Sequence, residues 1–360
     1  MNLHIVPDNT FSNTFYNNLT EIGLIKTNKV IVRSNHGTLM SIKHPLPAAK
    51  LYSARFSEIV GDTMQYEKVF IHYFTPLLYK WAATHDFREL NWMVWGGDLY
   101  NLSSLDDQCY EPITLQQYVK KDWSFKTKLY ALKVWATQQP YQQKAYAKVK
   151  NVLTWMREEY SYASTHLPLH ADHKFFFYEN QFPYNRLDAL VMSDRKSERL
   201  RLIIGNSGSP TNNHLDAIAF LEQHKIEADL FLPVSYGDKR YINFLKRKAT
   251  FKYGSISFMD RYMPFEEYLQ FLSTSDGLLM NTLRPQGYGN ILMMMYLGKP
   301  VFFNAKNISL PDLTAAKIKW FSMEQIRSFE DVNSQSQNKE AVVNLFSHDR
   351  LVGEYGKLFS

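Results

Sequence analysis

The sequence predicts an α/β protein made of two Rossmann-like domains facing each other across a cleft. Short apolar runs alternate with helical stretches along both halves, which implies parallel sheets with helices on both faces. The chain, at 360 residues, exceeds the size at which a single core usually stops growing. Two glycine-bearing turns of the strand–turn–helix kind fall in its second half.

In the first half, strands are expected at Leu3–Val6, Val30–Val32, Lys68–His72 and Asn91–Trp95. Helices are expected at Ser53–Val60 and from the Pro76 turn to Ala83. From Asp107 to Leu167 the texture is long, helical and basic, and strand Lys174–Tyr178 restores the alternation. The polar stretch Ser193–Arg199 is the candidate linker. The second half reads as strand 201–204, helix 213–224, strand 229–232, helix 238–248, strand 255–258, helix 264–273, strand 277–281, helix 290–297 and strand 301–303. The domain reading is 1–192, with a basic aromatic helical insertion at about 110–165, then 200–345, then a tail at 346–360.

Hydrophobic residues at 45% and aromatics at 15% exclude a disordered or coiled-coil class. The single cysteine, Cys109, excludes an internal disulfide and any cysteine-based metal cluster, and it suits a reducing cytoplasm. The start, MNLHIVPDNTFSNTF, lacks the basic segment and apolar core of a secretory signal. No apolar window is long enough for a spanning helix, so a soluble or peripheral protein is expected.

The formal charge of +6 is unevenly spread. Nine basic residues (Lys120, Lys121, Lys126, Lys128, Lys133, Lys144, Lys148, Lys150 and Arg157) stand against one acid, Asp122, with Trp123, Phe125, Tyr130, Trp135, Tyr141, Tyr146 and Trp155 between them. Cations interleaved with Trp and Tyr suit an anionic membrane surface. The same pattern also fits a solvated helical face whose aromatics point inward. No nucleic-acid-binding module accompanies the stretch.

The stretch 274–301 is one βαβ unit, with Arg284, Gln286, Gly287, Gly289 and Asn290 in the loop before its helix. Glycines there admit a close ligand, and the helix start carries the positive end of a dipole. Gly205, Asn206, Ser207 and Gly208 form the other turn, with Asn213 and His214 opening the next helix. Tyr236 offers a ring for a base, Glu267 could accept from a ribose, and Arg284 could pair with a diphosphate. Asp98 follows Gly96 and Gly97 at a strand end, where open α/β sheets place ligands. It suits a general base, or an aspartate that caps the next turn. His72 ends a neighbouring strand and is the competing base. There is no Asp-x-Asp pair, G-x-S-x-G elbow, Walker loop or G-x-G-x-x-G, which disfavours metal-dependent sugar-nucleotide, serine-hydrolase, P-loop and dehydrogenase chemistry.

Trp95-Gly96-Gly97-Asp98-Leu99-Tyr100, Ile204–Gly208 with Asn213-His214, Pro233 with Tyr236, Gln286-Gly287-x-Gly289 and Gly298-x-Pro300, together with His72, form a pattern. It resembles that of the TDP-N-acetylfucosamine:lipid II N-acetylfucosaminyltransferase family (glycosyltransferase family 56), over roughly residues 68–304. The resemblance implies a GT-B fold and no metal, with a TDP-sugar held mainly by the C-terminal domain and a polyprenyl-diphosphate-linked glycan by the N-terminal one. It implies transfer of a deoxy-amino sugar at the cytoplasmic face of the inner membrane, in enterobacterial common antigen-like synthesis. Asp98 or His72 would act on the acceptor hydroxyl. Trp95, Tyr100, Lys120, Lys121, Trp123, Lys126 and Lys128 would face acceptor or membrane. A sugar-nucleotide epimerase of the same fold and a non-catalytic sugar-binding protein are the alternatives.

Overall fold

The computed structural model describes residues 1–34, 38–100, 106–121, 125–178, 184–190, 199–326 and 335–360. The chain forms two compact units, one of Met1–Leu102, Ser124–Phe182 and Phe346–Ser360, the other of Ser103–Trp123 and Pro183–Leu345.

The first unit carries a seven-stranded sheet. Its strands are β1 (Asn2–Pro7), β2 (Asn28–Arg33), β3 (Ala48–Ala49), β4 (Val69–His72), β5 (Leu90–Met93), β6 (Val149–Thr154) and β7 (Asp172–Phe175). The order is β3-β2-β1-β4-β5-β6-β7, with every neighbouring pair parallel. The central strands are covered on both faces, so the successive residues Ile5 and Val6, Ile31 and Val32, and Phe70 and Ile71 are all buried although neighbours along a strand point to opposite faces. Strand β6 and the helix Thr10–Glu21 were not expected from sequence.

The closing segment is not a tail. Ser347 caps the helix His348–Phe359, and Phe359 lies edge-on to His4 and Phe70, with ring centroids 5.1 Å away in both cases. Asn2 Nδ2 and Asn28 Nδ2 donate to the Phe359 carbonyl at 3.2 and 2.9 Å. These bonds satisfy a helix-end acceptor that would otherwise be buried alone.

The second unit carries β8 (Leu200–Ile204), β9 (Ala228–Pro233), β10 (Gly254–Met259), β11 (Gly277–Met280), β12 (Val301–Phe303) and β13 (Phe321–Ser322), in the order β10-β9-β8-β11-β12-β13 and again all parallel. The stretch read as one insertion, about 110–165, divides between the units. Its first part belongs to the second unit because the Asp216 carboxylate accepts from the Ile113 and Thr114 N–H groups at 2.7 and 2.9 Å. The Tyr118 hydroxyl donates to Asp238 at 2.9 Å. Of the linker 193–199, only Arg199 lies within the described residues.

Candidate functional site

In the second unit, the carboxyl ends of β8, β9 and β11 bring the two glycine turns together. Gly205 has φ +71° and donates its N–H to the Leu279 carbonyl at 2.9 Å. A side chain there would strike Asn212, whose amide holds the turn by accepting from Asn206 N–H and donating to the Ser207 and Ser209 carbonyls. Gln286 joins the turns: its Oε1 accepts from the Thr211 hydroxyl at 2.6 Å and its Nε2 donates to Asn206 Oδ1 at 3.0 Å. Asn206 Nδ2 donates in turn to the Tyr236 hydroxyl at 3.2 Å. Tyr236 therefore has an anchored hydroxyl and a ring that leaves the residue 61% exposed, a platform for a flat ligand. Burial is the first cause that raises its pKa.

Gly287 is left-handed, at φ +71°, and a Cβ there would lie 2.8 Å from Asn206. It opens the helix Tyr288–Tyr296, whose start no side chain caps. Gly289, in the first turn, is exposed and has nothing within 4 Å of a notional Cβ, so a ligand can approach the backbone. Near it, the pKa of Tyr268 is pushed up first by burial and then by Tyr236.

Other expected donor residues have different roles. The Gly208 N–H is committed to the Tyr236 carbonyl at 2.8 Å, and the turn packs against Ile242 and Gly237, so Gly208 is a wall and not an anion hole. Asn213 is buried, with a left-handed φ of 50°, and its amide bridges the Asn281 and Cys109 carbonyls. His214 is fully buried beside Tyr241, its pKa lowered by burial to about 3. Arg284 donates to the Pro285 carbonyl at 3.3 Å. Glu267 is exposed in the first turn of the helix Phe265–Ser273, where its neighbour Glu266 pairs with Arg186 at 2.9 Å. No hydrogen bond joins Glu267 to the Gln286 cluster among the described residues.

In the first unit, the structure corrects the expectation for Asp98. Its carboxylate is buried and accepts from the Trp92 indole at 2.6 Å, Phe74 N–H at 2.8 Å and Trp95 N–H at 2.9 Å. It ties the loop that follows β4 to the loop that follows β5, and none of these three bonds goes to the turn after Asp98. Burial raises its pKa, and the three hydrogen bonds oppose the shift.

His72 is likewise buried, within a chain of partners that assigns every proton. Asn28 gives both amide hydrogens to carbonyls, so its Oδ1 accepts from His4 Nε2–H at 3.0 Å. His4 Nδ1 then accepts from His72 Nε2–H at 3.1 Å, and His72 Nδ1 accepts from the Tyr178 hydroxyl at 2.7 Å. The Tyr178 oxygen accepts from the Trp95 indole at 2.5 Å. Both histidines are neutral. Burial takes His4 down to about 3, and His72 falls well below its ordinary value through burial, then His4 and Arg33. Neither Asp98 nor His72 is open to an acceptor hydroxyl.

Trp95 is partly exposed, whereas Tyr100 is buried beside Tyr162. Lys120 and Lys121 are exposed. Trp123 and the side chains of Lys126 and Lys128 lie outside the described residues. Of the remaining basic stretch, Lys148 holds the His85 carbonyl and Asp86, while Tyr146 and Trp155 pack internally. Sequence reading missed Thr211, Tyr268 and the ring cluster of Phe11, Tyr73 and Tyr178 around Trp95. Position just past a strand end is the signal that would have found Tyr73.

Residues 121–349 match the family described as 4-alpha-L-fucosyltransferase, glycosyl transferase group 56. Among solved structures, the chain is similar to HepE from Anabaena in complex with UDP-glucose, with a TM-score of 0.57 and 11% identity over 99% of this chain and 98% of that one. Sucrose-phosphate synthase from Thermosynechococcus elongatus matches with a TM-score of 0.55 and 12% identity over 100% and 98%. WaaG, a glycosyltransferase involved in lipopolysaccharide biosynthesis, matches with a TM-score of 0.51 and 10% identity over 99% of both chains. The structural likenesses carry the fold, two parallel-sheet α/β units of the GT-B class. With more than half of its length matched by the family, the chain belongs to the 4-alpha-L-fucosyltransferases of glycosyl transferase group 56 and is a hexosyltransferase.

Proposed function

We propose that this glycosyltransferase moves a deoxy-amino sugar of the N-acetylfucosamine type from a TDP donor to a polyprenyl-diphosphate-linked glycan, in synthesis of a surface polysaccharide like enterobacterial common antigen. The observation that carries the donor half is the junction of Asn206, Gln286 and Tyr236 beside the uncapped helix start at Gly287–Gly289. Tyr236 would stack the base, and the backbone N–H groups of the first helical turn would meet the diphosphate. The same groups would stabilise the leaving diphosphate as the glycosidic bond breaks, so transfer is proposed to need no metal. Neither buried candidate serves as the base, which leaves that role to a group on the acceptor side.

The proposed place of work is the cytoplasmic face of the inner membrane. No helix among the described residues is long and apolar enough to cross a membrane. The helix Phe125–Gln138 instead exposes Leu129 at 51%, Leu132 at 61% and Trp135 at 61%, three positions spaced to share one side of a helix. Such a stripe suits the interfacial layer of a bilayer.

Release of free TDP from the TDP-sugar, measured with and without the lipid-linked acceptor and again after chelation by EDTA, tests this reading. Release that depends on acceptor and survives EDTA is the expected result. An altered sugar still joined to the nucleotide would mean epimerisation instead, and loss of release with EDTA would overturn metal independence.

A further inference from the structure

We propose that Thr211 is a positioning residue of the donor site, whose hydroxyl sets the direction of an amide relay so that Gln286 and Tyr236 turn hydrogens toward a ligand. The inference rests on the donor reading given above and adds the chemistry that the site selects, a group that only accepts hydrogen bonds.

Thr211 lies in the short turn Pro210–Asn212, between the first glycine turn and the helix His214–Gln223. It is buried. A threonine in such a turn usually gives its hydrogen to a carbonyl of its own segment. Thr211 gives it instead to Gln286 Oε1, 75 residues away, at 2.6 Å. The Ser209 hydroxyl stands 2.9 Å from that of Thr211, and because the Thr211 hydrogen is already committed, Ser209 is the donor of the pair. Asn213 Nδ2 donates to the Thr211 carbonyl at 3.3 Å and holds the residue from its other side.

The direction of this bond is passed along. With Oε1 facing Thr211, Gln286 turns its Nε2 to Asn206 and donates to Oδ1 at 3.0 Å. The Asn206 amide is thereby left with its nitrogen toward Tyr236, and it donates to the hydroxyl oxygen at 3.2 Å. Each oxygen on the path has received a hydrogen. Gln286 is half-buried and Tyr236 is exposed, and among the described residues the second Nε2 hydrogen of Gln286 and the hydroxyl hydrogen of Tyr236 have no acceptor. Reversed, the relay would commit the Tyr236 hydrogen to Asn206 and leave only oxygen there. Two parts of a nucleotide donor answer the observed direction, a diphosphate oxygen and a carbonyl of the base. The ionised oxygen makes the stronger bond.

The test is calorimetric titration of the full chain with TDP, inorganic pyrophosphate and deoxythymidine. The wild type is compared with Thr211→Val, Thr211→Ser, Gln286→Leu and the double variant Thr211→Val with Gln286→Leu. Thr211→Val keeps the volume and removes the hydroxyl, so TDP affinity should fall at least about tenfold, while Thr211→Ser should stay within about twofold of wild type. Since Thr211 acts through Gln286, its change to Val should cost no more than about twofold once residue 286 is Leu. A loss shared by pyrophosphate assigns the hydrogens to the diphosphate, and one shared by deoxythymidine assigns them to the base carbonyl. Wild-type affinity in Thr211→Val, a serine variant as weak as the valine one, or a full second loss in the double variant would overturn this proposal alone. A wild type that binds no TDP would overturn the donor reading and this proposal with it. Thermal melts identify loss of fold, and Thr211→Ala, with the same outcomes, replaces a valine variant that does not fold.

Discussion

Gln286 Nε2 donates to Asn206 Oδ1 at 3.0 Å, which ties together two turns 80 residues apart in sequence. Each turn alone is an ordinary strand–helix junction. Joined, they set the exposed Tyr236 ring and the open backbone at Gly289 on one wall of the second unit.

The two glycines of the second turn should behave differently. Gly287→Ala puts a Cβ 2.8 Å from Asn206 at a left-handed position, so it should cost about 1–3 kcal/mol of stability and disturb donor binding as well. Gly289→Val meets open space, so the fold should hold within about 1 kcal/mol while TDP-sugar affinity falls by about tenfold or more. Urea melts and calorimetry of both variants check the split. Unchanged affinity in Gly289→Val would remove the diphosphate from this helix start.

Asp98→Asn replaces an acceptor of three N–H groups by a side chain with one acceptor oxygen and a clashing donor. Stability should fall by about 1–3 kcal/mol, and the effect on turnover should enter through the loops bearing Tyr73 and Trp95. The pH dependence of the rate should keep its shape, since no titrating base is lost. A vanished limb in that profile would restore Asp98 as the base.

Acid should weaken the fold beginning near pH 6.5. His4 and His214 have folded-state pKa values of about 3 against 6.5 unfolded, and His72 shifts the same way. Between those limits the unfolded chain binds more protons, so stability is complete above the unfolded value and is lost as pH falls, by about 1.4 kcal/mol per pH unit for each histidine. Asp98, raised by burial, has the opposite sign, its contribution being lost as pH rises above the ordinary carboxylate value of 3.8. Urea midpoints from pH 7.5 to 5 give the slope. His214→Gln should lower it by one proton, and a flat profile would show that these groups are solvated.

The exposed stripe on the helix Phe125–Gln138 makes membrane attachment testable apart from charge. Leu132→Ser with Trp135→Ser should reduce sedimentation with anionic vesicles by about tenfold or more, since two large apolar groups then lose their contact with the bilayer. High salt should weaken what remains. Equal sedimentation of the double variant would leave the stripe without a bilayer role.

Much of the fold was legible because strands covered on both faces carry unbroken apolar runs, as Leu202–Ile204 and Leu278–Met280 do. Strand β6 was hidden because Lys150, Asn151 and Thr154 interrupt its apolar residues. The helix Thr10–Glu21 was hidden too, since its Asn and Thr are poor helix formers and its burial against Phe176 and Phe359 comes from distant sequence. The second-unit turns could be found by their glycines, which mark backbone geometry. The burial of Asp98 and His72 could not. A carboxylate after two glycines reads the same whether it faces solvent or the Trp92 indole, and the partner of His72 stands 68 residues away at His4.

The last helix also orders the making of the protein. The floor of the first unit, where Asn2, His4 and Asn28 meet Phe359, stays open until residues 346–360 have left the ribosome. By then every residue of the second unit has been synthesised. The half that begins first is therefore completed last, and a chain stalled short of residue 346 would present an unfinished apolar surface around Phe15 and Phe70 to chaperones and proteases.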